Sequence, residues 1–197
     1  MLALAVHEWG RAWMANCLGD DTPRIEGRLT LNPLAHVSFL GTLVFPLVIF
    51  LSHLGFLPIG WGRPVKVNSD NFKHKKWYDI LSNLAGLWGN FILGFLILLL
   101  GFIIRDKSHS LSYLCSIGTK VNVAIGLFNL IPIPPLDGAR ILKVVIGIGE
   151  EFFKLFSKIG GIMLFILVNL PIFVNYFNLV NKFFLDFYFQ FCKFLLG

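Results

Sequence analysis

The chain has 197 residues, of which 56% are hydrophobic and 15% aromatic, while only 14% are charged. A soluble domain carries about a quarter charged residues, so a mean hydropathy of +0.73 excludes that class and indicates a membrane protein set in a lipid bilayer. The net charge of +6 does not point to nucleic acid, because the positives sit at the ends of apolar runs, where they act as topology signals, and not on an aromatic-interleaved basic face.

A single domain over residues 1–197 is expected, since no polar insertion or Gly/Ser linker marks a second. Only Met1 to Val6 precede His7, with no basic segment of a signal peptide. The first helix, about Met1 to Leu18, is therefore read as beginning inside a longer one. A polar connection follows, in which GRLTLNP (27–33) alternates polar and apolar side chains and predicts a short strand. The run Val37 to Gly60 is interrupted by Gly41, Pro46, Gly55 and Pro58, and a basic loop, Trp61 to Asp79, comes after it. Helices are then expected at about Ile80–Ile104 and Leu111–Pro132. An interfacial helix carries Arg140, Lys143, Glu150, Glu151 and Lys154, and a further membrane helix covers about Ile159–Leu179. The Phe-rich tail, with Lys182, Asp186 and Lys193, is expected to lie flat. The fold class is thus an all-α polytopic membrane protein with about 4–6 membrane helices.

The positive-inside rule decides how the run 37–60 is threaded. A full crossing divides Lys and Arg nine to four between the two sides; a run that dips in and returns divides them 11 to 2. The cleaner asymmetry predicts a re-entrant hairpin bent near Pro46, tolerable where its backbone is buried against protein. It also sets the ends of the first and fourth segments on one, cytoplasmic, side.

Two stretches carry chemistry. VHEWGRAW (6–13) places His7, Glu8 and Arg11 within one turn of an apolar helix, and ionisable groups at membrane depth are costly enough to suggest function. In H-E-x-x-H the two histidines share a helix face and grip zinc while the glutamate takes a proton from bound water. Here Arg11 stands at the second histidine's place. The other stretch is FNLIPIPPLDGAR (128–140), where Pro132, Pro134 and Pro135 end a regular helix and deliver the carboxylate of Asp137, followed by the permissive Gly138. A carboxylate is a suitable zinc ligand.

HEWGRAW, GRLTLNPLAH (27–36), GWGRPVKVN (60–68), NLAGLWGN (83–90) and NLIPIPPLDGAR (129–140) resemble, in order, the motifs of the site-2 protease family of intramembrane zinc metalloproteases, in its small bacterial branch. The resemblance covers about residues 6–145. It implies a zinc-dependent hydrolase of the bacterial cytoplasmic membrane, multi-pass, whose partners are transmembrane or membrane-proximal protein substrates. It also implies that His7 and Asp137 are metal ligands, that Glu8 is the catalytic base, and that Asn90 and Asn129 help to hold an extended substrate. The strand-like GRLTLNP would be a docking edge for such a substrate.

Three departures stand out: Leu87 for a proline, Ala139 for a glycine, and Arg11. The first two are mild. A guanidinium is always protonated and offers no lone pair, so Arg11 cannot bind zinc. Arg11 disables an active protease by what a single base change can introduce, or marks a protease-like binder of transmembrane helices that lost catalysis, or leaves another residue to complete the site. His36 is the best-placed residue for the last reading. In either of the first two, Arg11 is expected to replace the metal's charge by pairing with Glu8, three residues back, and with Asp137.

The remaining conspicuous residues carry plainer readings. His53, His74 and His109 lie in loops or at helix ends, and Lys120 can snorkel. Cys17, Cys115 and Cys192 lack metal or disulfide spacing and are read as buried thiols. Trp9, Trp13, Trp61 and Trp77 read as interface anchors, and the Phe stripe of 183–194 as lipid-facing. A transporter would show paired repeats with matching helix breaks, and the break at 132–135 has no counterpart.

Overall fold

The structure is a computed structural model that describes residues 1–44, 47, 51 and 62–196. Helix α1 spans Leu2–Cys17 and ends where Gly19 adopts a left-handed φ of 102°. Two single-turn helices, α2 (Thr22–Ile25) and α3 (Pro33–His36), lie in the connector, each with proline at its start. The long helices α4 (Lys75–Ile104) and α5 (His109–Asn129) follow, the second capped by the Ser108 side chain on the Leu111 amide. Helix α6 (Asp137–Ile146) stops at Gly147, and α7 (Glu150–Asn169) and α8 (Pro171–Leu196) complete the chain.

The described residues contain no strand, so the expectation for 27–33 is corrected. The alternating pattern is present, but its polar groups are satisfied locally. The Arg28 amide donates to the Pro23 carbonyl, the Asn32 amide to the Thr30 hydroxyl, and the Leu34 amide to the Asn32 side chain. Such side-chain turns compete with a ladder and win where no neighbouring strand is offered.

Of the expected four to six membrane helices, among the described residues α4 and α5 are long and apolar enough to cross a bilayer, and a third span results if α7 and α8 count together. These two meet at an angle of 79°. The apolar run 159–179, read as one helix, is cut because Pro171 lacks an amide and forces Leu170 into an extended conformation. The expected interfacial helix is likewise two elements, α6 and the start of α7, divided at Gly147.

Helices α1, α4 and α5 form an antiparallel layer packed through small residues. A Cβ on Gly10 would lie 2.8 Å from the Ala85 carbonyl, and one on Gly101 2.8 Å from the Cys115 Cβ. At Gly86 an added Cβ would stand 2.8 Å from both the His7 carbonyl and the Arg11 Cγ. Gly86→Ala is therefore expected to push α1 off α4 and cost about 1–3 kcal/mol, read from thermal unfolding in detergent.

The Phe-rich tail uses both of its faces. Phe184 stacks on Phe91 at 5.6 Å, Tyr188 meets Phe95 at 5.6 Å, and the Tyr188 hydroxyl donates to the Phe91 carbonyl. Phe183, Phe187 and Phe194 remain exposed. Only Cys192 of the three cysteines is buried; Cys17 is exposed and Cys115 half-buried.

The greater part of the hairpin expected over 37–60 lies outside the described residues, as do His53 and Trp61. Its ends do not. The Arg63 amide donates to the His36 carbonyl at 2.8 Å, so the chain that leaves at His36 is back beside it at Arg63. Lys66 also pairs with Glu26 at 2.8 Å, which sets the connector and the basic loop side by side.

Asp20 ties these segments together. Its buried carboxylate accepts bonds from the Thr22 amide and hydroxyl, the Asn68 amide and the Asn71 side chain. Burial works to raise its pKa, but these bonds, that of the Thr22 hydroxyl first, hold it below the ordinary value of 3.8. A depressed carboxylate pKa contributes stability that is present above the unfolded value and lost as pH falls through the folded one. The stability difference between the parent and Asp20→Ala is thus expected to be about 2 kcal/mol at pH 7 and to shrink in melts recorded below pH 3.8.

Candidate active site

The inner face of α1 carries the polar side chains. His7 and Arg11 are one turn apart and Glu8 stands beside them, all three buried. Asp137 comes from the opposite direction. The proline-rich turn after α5 returns the chain, and Asp137 opens α6, where a helix start favours a negative charge. Gly138 permits the approach for a reason of space, since a Cβ there would overlap the Leu130 carbonyl. Leu87 and Ala139, the two mild departures, are buried without disturbing this packing.

The four side chains meet. His7 Nε2 lies 2.9 Å from Asp137 Oδ2, and Arg11 Nη1 is 3.2 Å from Asp137 Oδ1 and 3.8 Å from Glu8 Oε2. The Val65 amide donates to Glu8 Oε2 at 2.8 Å. Asn90 places its side-chain nitrogen 3.5 Å from His7 Nδ1, so its nearest polar partner is the histidine ring. Asn129 donates to the Ile125 carbonyl of its own helix and lines the adjoining cavity. His36 is buried elsewhere, bonded to the Thr30 carbonyl, and does not join the cluster.

Three participants are not assigned to the site by the sequence motifs. Asp79, near the start of α4, and Arg140, in the first turns of α6, both bear electrostatically on Arg11. The Val65 amide is a backbone group, which no side-chain pattern discloses. Arg140 lies within the LDGAR stretch, and Asp79 is the acid that closes the basic loop; those positions were the available signals.

Beside the cluster lies a cavity of about 560 Å³ with apolar walls that include Leu4, Ile125, Phe128 and Phe177, and a polar end formed by His7, Glu8, Arg11, Asp137 and Arg140. It can receive an apolar peptide segment and present its backbone to polar groups.

The donor set does not fit a zinc ion. Zinc takes three or four N, O or S donors, whereas His7 and Asp137 supply two that are bonded to each other, and a permanently charged guanidinium lies against Asp137. Among the described residues, no group of three or more His, Cys, Asp or Glu is arranged so that it could hold a metal ion. Two Arg11 nitrogens, Nε and Nη2, have no hydrogen-bond partner among the described residues. That is the mark of a cation held in place by neighbouring charge and not by a fitted set of acceptors.

Comparison with known proteins agrees with the motifs. The chain is 32% identical over 180 residues, 85% of its length and 76% of the relative's, to a Bacillus subtilis protein named "Putative zinc metalloprotease YwhC". It is 34% identical over 146 residues to a Mycolicibacterium smegmatis protein named "Putative zinc metalloprotease Rip2", covering 73% of this chain and 54% of that one. No solved structure matches. Residues 105–170, which include the Asp137 turn, match the family model of peptidase family M50. With one relative aligned over most of both chains and that match in hand, the chain belongs to peptidase family M50.

Proposed function

We propose that this protein is an intramembrane protease of the zinc metalloprotease type whose hydrolytic step is disabled in this chain by Arg11. Its substrates are peptide bonds in or near transmembrane segments, and it sits as a multi-pass protein in a bacterial cytoplasmic membrane. The observation that carries the reading is the Arg11 guanidinium, 3.2 Å from Asp137 and 3.8 Å from Glu8, at the position one helical turn from His7. Zinc in such a site would supply an acidified water and polarise a carbonyl. In this chain the guanidinium supplies only the charge.

The residues that remain are suited to holding a substrate. A helical peptide bond must be unwound before attack, and the apolar cavity beside Glu8 and Asp137 is a place for the unwound segment. That same cavity supports the second reading, a catalytically inactive family member that binds transmembrane helices. Metal content and cleavage of a model transmembrane substrate, compared between the parent and Arg11→His, test the proposal. Zinc at about one ion per parent chain would overturn it.

A further inference from the structure

Cations also gather away from His7 and Asp137. The connector after α1 and the segment after residue 62 enclose an open groove of about 450 Å³, lined by Arg28, Leu34, Ala35 and Arg63 with Glu26 at its edge. Glu26 is engaged by Lys66 at 2.8 Å. Among the described residues, neither Arg28 nor Arg63 forms an ion pair. Arg28 is 5% exposed, and one nitrogen of its fork donates to the Ala35 carbonyl. Arg28 therefore lines the groove with one donor committed to a carbonyl and, among the described residues, no carboxylate paired with it, so its remaining donors are available to an anion that enters.

The surroundings say what kind of anion. Leu34, which lines the groove, is 78% exposed, and Ile25 and Phe39, before and after it in the chain, are 82% and 69% exposed. An exposed apolar side chain in a cationic groove, on a stretch of chain with further exposed apolar residues, suits the edge of a bilayer, where headgroup and acyl chain meet. Trp9 and Trp13 stack at 6.0 Å on α1 nearby in the chain, with Trp13 exposed, as aromatic residues at that level do.

We propose that this groove binds the phosphate of an anionic membrane phospholipid, with Arg28 and Arg63 donating to the phosphate oxygens and Leu34 against its acyl chains. Arg63 is two residues from Val65, whose amide donates to Glu8, so the bound lipid fixes the segment that crosses the site. The full chain in non-ionic detergent, titrated with phosphatidylglycerol or phosphatidylcholine and read by native mass spectrometry, tests this.

One phosphatidylglycerol is expected per chain, with an affinity about tenfold or more above that of phosphatidylcholine, and Arg63→Gln is expected to remove about tenfold of it. Arg63 is exposed, so this variant does not depend on Arg28→Gln folding. Inorganic phosphate is expected not to displace the lipid, and Lys107→Gln, at the far end of α4, is expected to leave retention unchanged. Equal retention of the two lipids, loss to inorganic phosphate, an Arg63→Gln without effect, or an equal loss in Lys107→Gln would each overturn the proposal.

Discussion

Arg11→Met in this chain is expected to lower the unfolding free energy by about 3–5 kcal/mol, the range for removing one partner of a buried ion pair. The reason lies in what stays behind. Glu8 and Asp137 are 6% and 2% exposed, and with Arg11 gone their negative charges face each other, offset by the Val65 amide on Glu8, the His7 ring on Asp137 and Arg140 at a distance. The pair is not thereby a strong stabiliser. Arg11 leaves two of its nitrogens without acceptors, so the folded protein already bears part of the cost of desolvating it. Combining Arg11→Met with Glu8→Gln and Asp137→Asn should therefore recover most of the loss, because neutral groups of similar shape need no counter-charge. Chemical denaturation in mixed micelles measures both. A neutral Arg11→Met would mean that the guanidinium does not compensate the carboxylates at all.

How much of this was legible in the sequence follows from which interactions are local. The apolar runs announced α4 and α5, because a helix that crosses a bilayer needs about 20 apolar residues in succession, and among the described residues α4 and α5 are the two helices that meet that test. The proline-rich turn announced that Asp137 would be delivered by irregular chain, since three prolines leave a helix no alternative. The period-2 reading of 27–33 misled, because alternation reports which side chains could share a face and says nothing about whether a partner strand exists. The 79° bend at Leu170 was hidden inside an uncharged run, where hydropathy outweighed a single proline. Least legible were the contacts made across the chain. The Val65 amide reaches Glu8 from 57 residues away. The joining of Arg63 to His36 rests on backbone atoms that every residue carries alike. The chemical types at the site could be read off; the groups that hold them could not.

Restoring a ligand should separate the two readings of function. Arg11→His is expected to bring the chain from no stoichiometric metal to about one zinc per molecule, because it removes a fixed cation and adds a nitrogen donor on the helix face that His7 occupies. If the remaining machinery is intact, that variant should cleave a model transmembrane substrate in detergent. Adding Glu8→Gln should then lower kcat by about 10²–10⁴-fold, the usual worth of a positioned base, while zinc is retained. Glu8 stands ready for that role: its carboxylate already accepts the Val65 amide and flanks the cavity that would take the peptide. The zinc readout and the activity readout distinguish different failures. Zinc without cleavage would make the chain a binder whose catalytic arrangement has drifted beyond the one ligand. Neither zinc nor cleavage would mean that α1 and α6 no longer bring His7 and Asp137 into a metal-binding geometry, and that position 11 is not the only lesion. Cleavage that survives Glu8→Gln would transfer the base to another group.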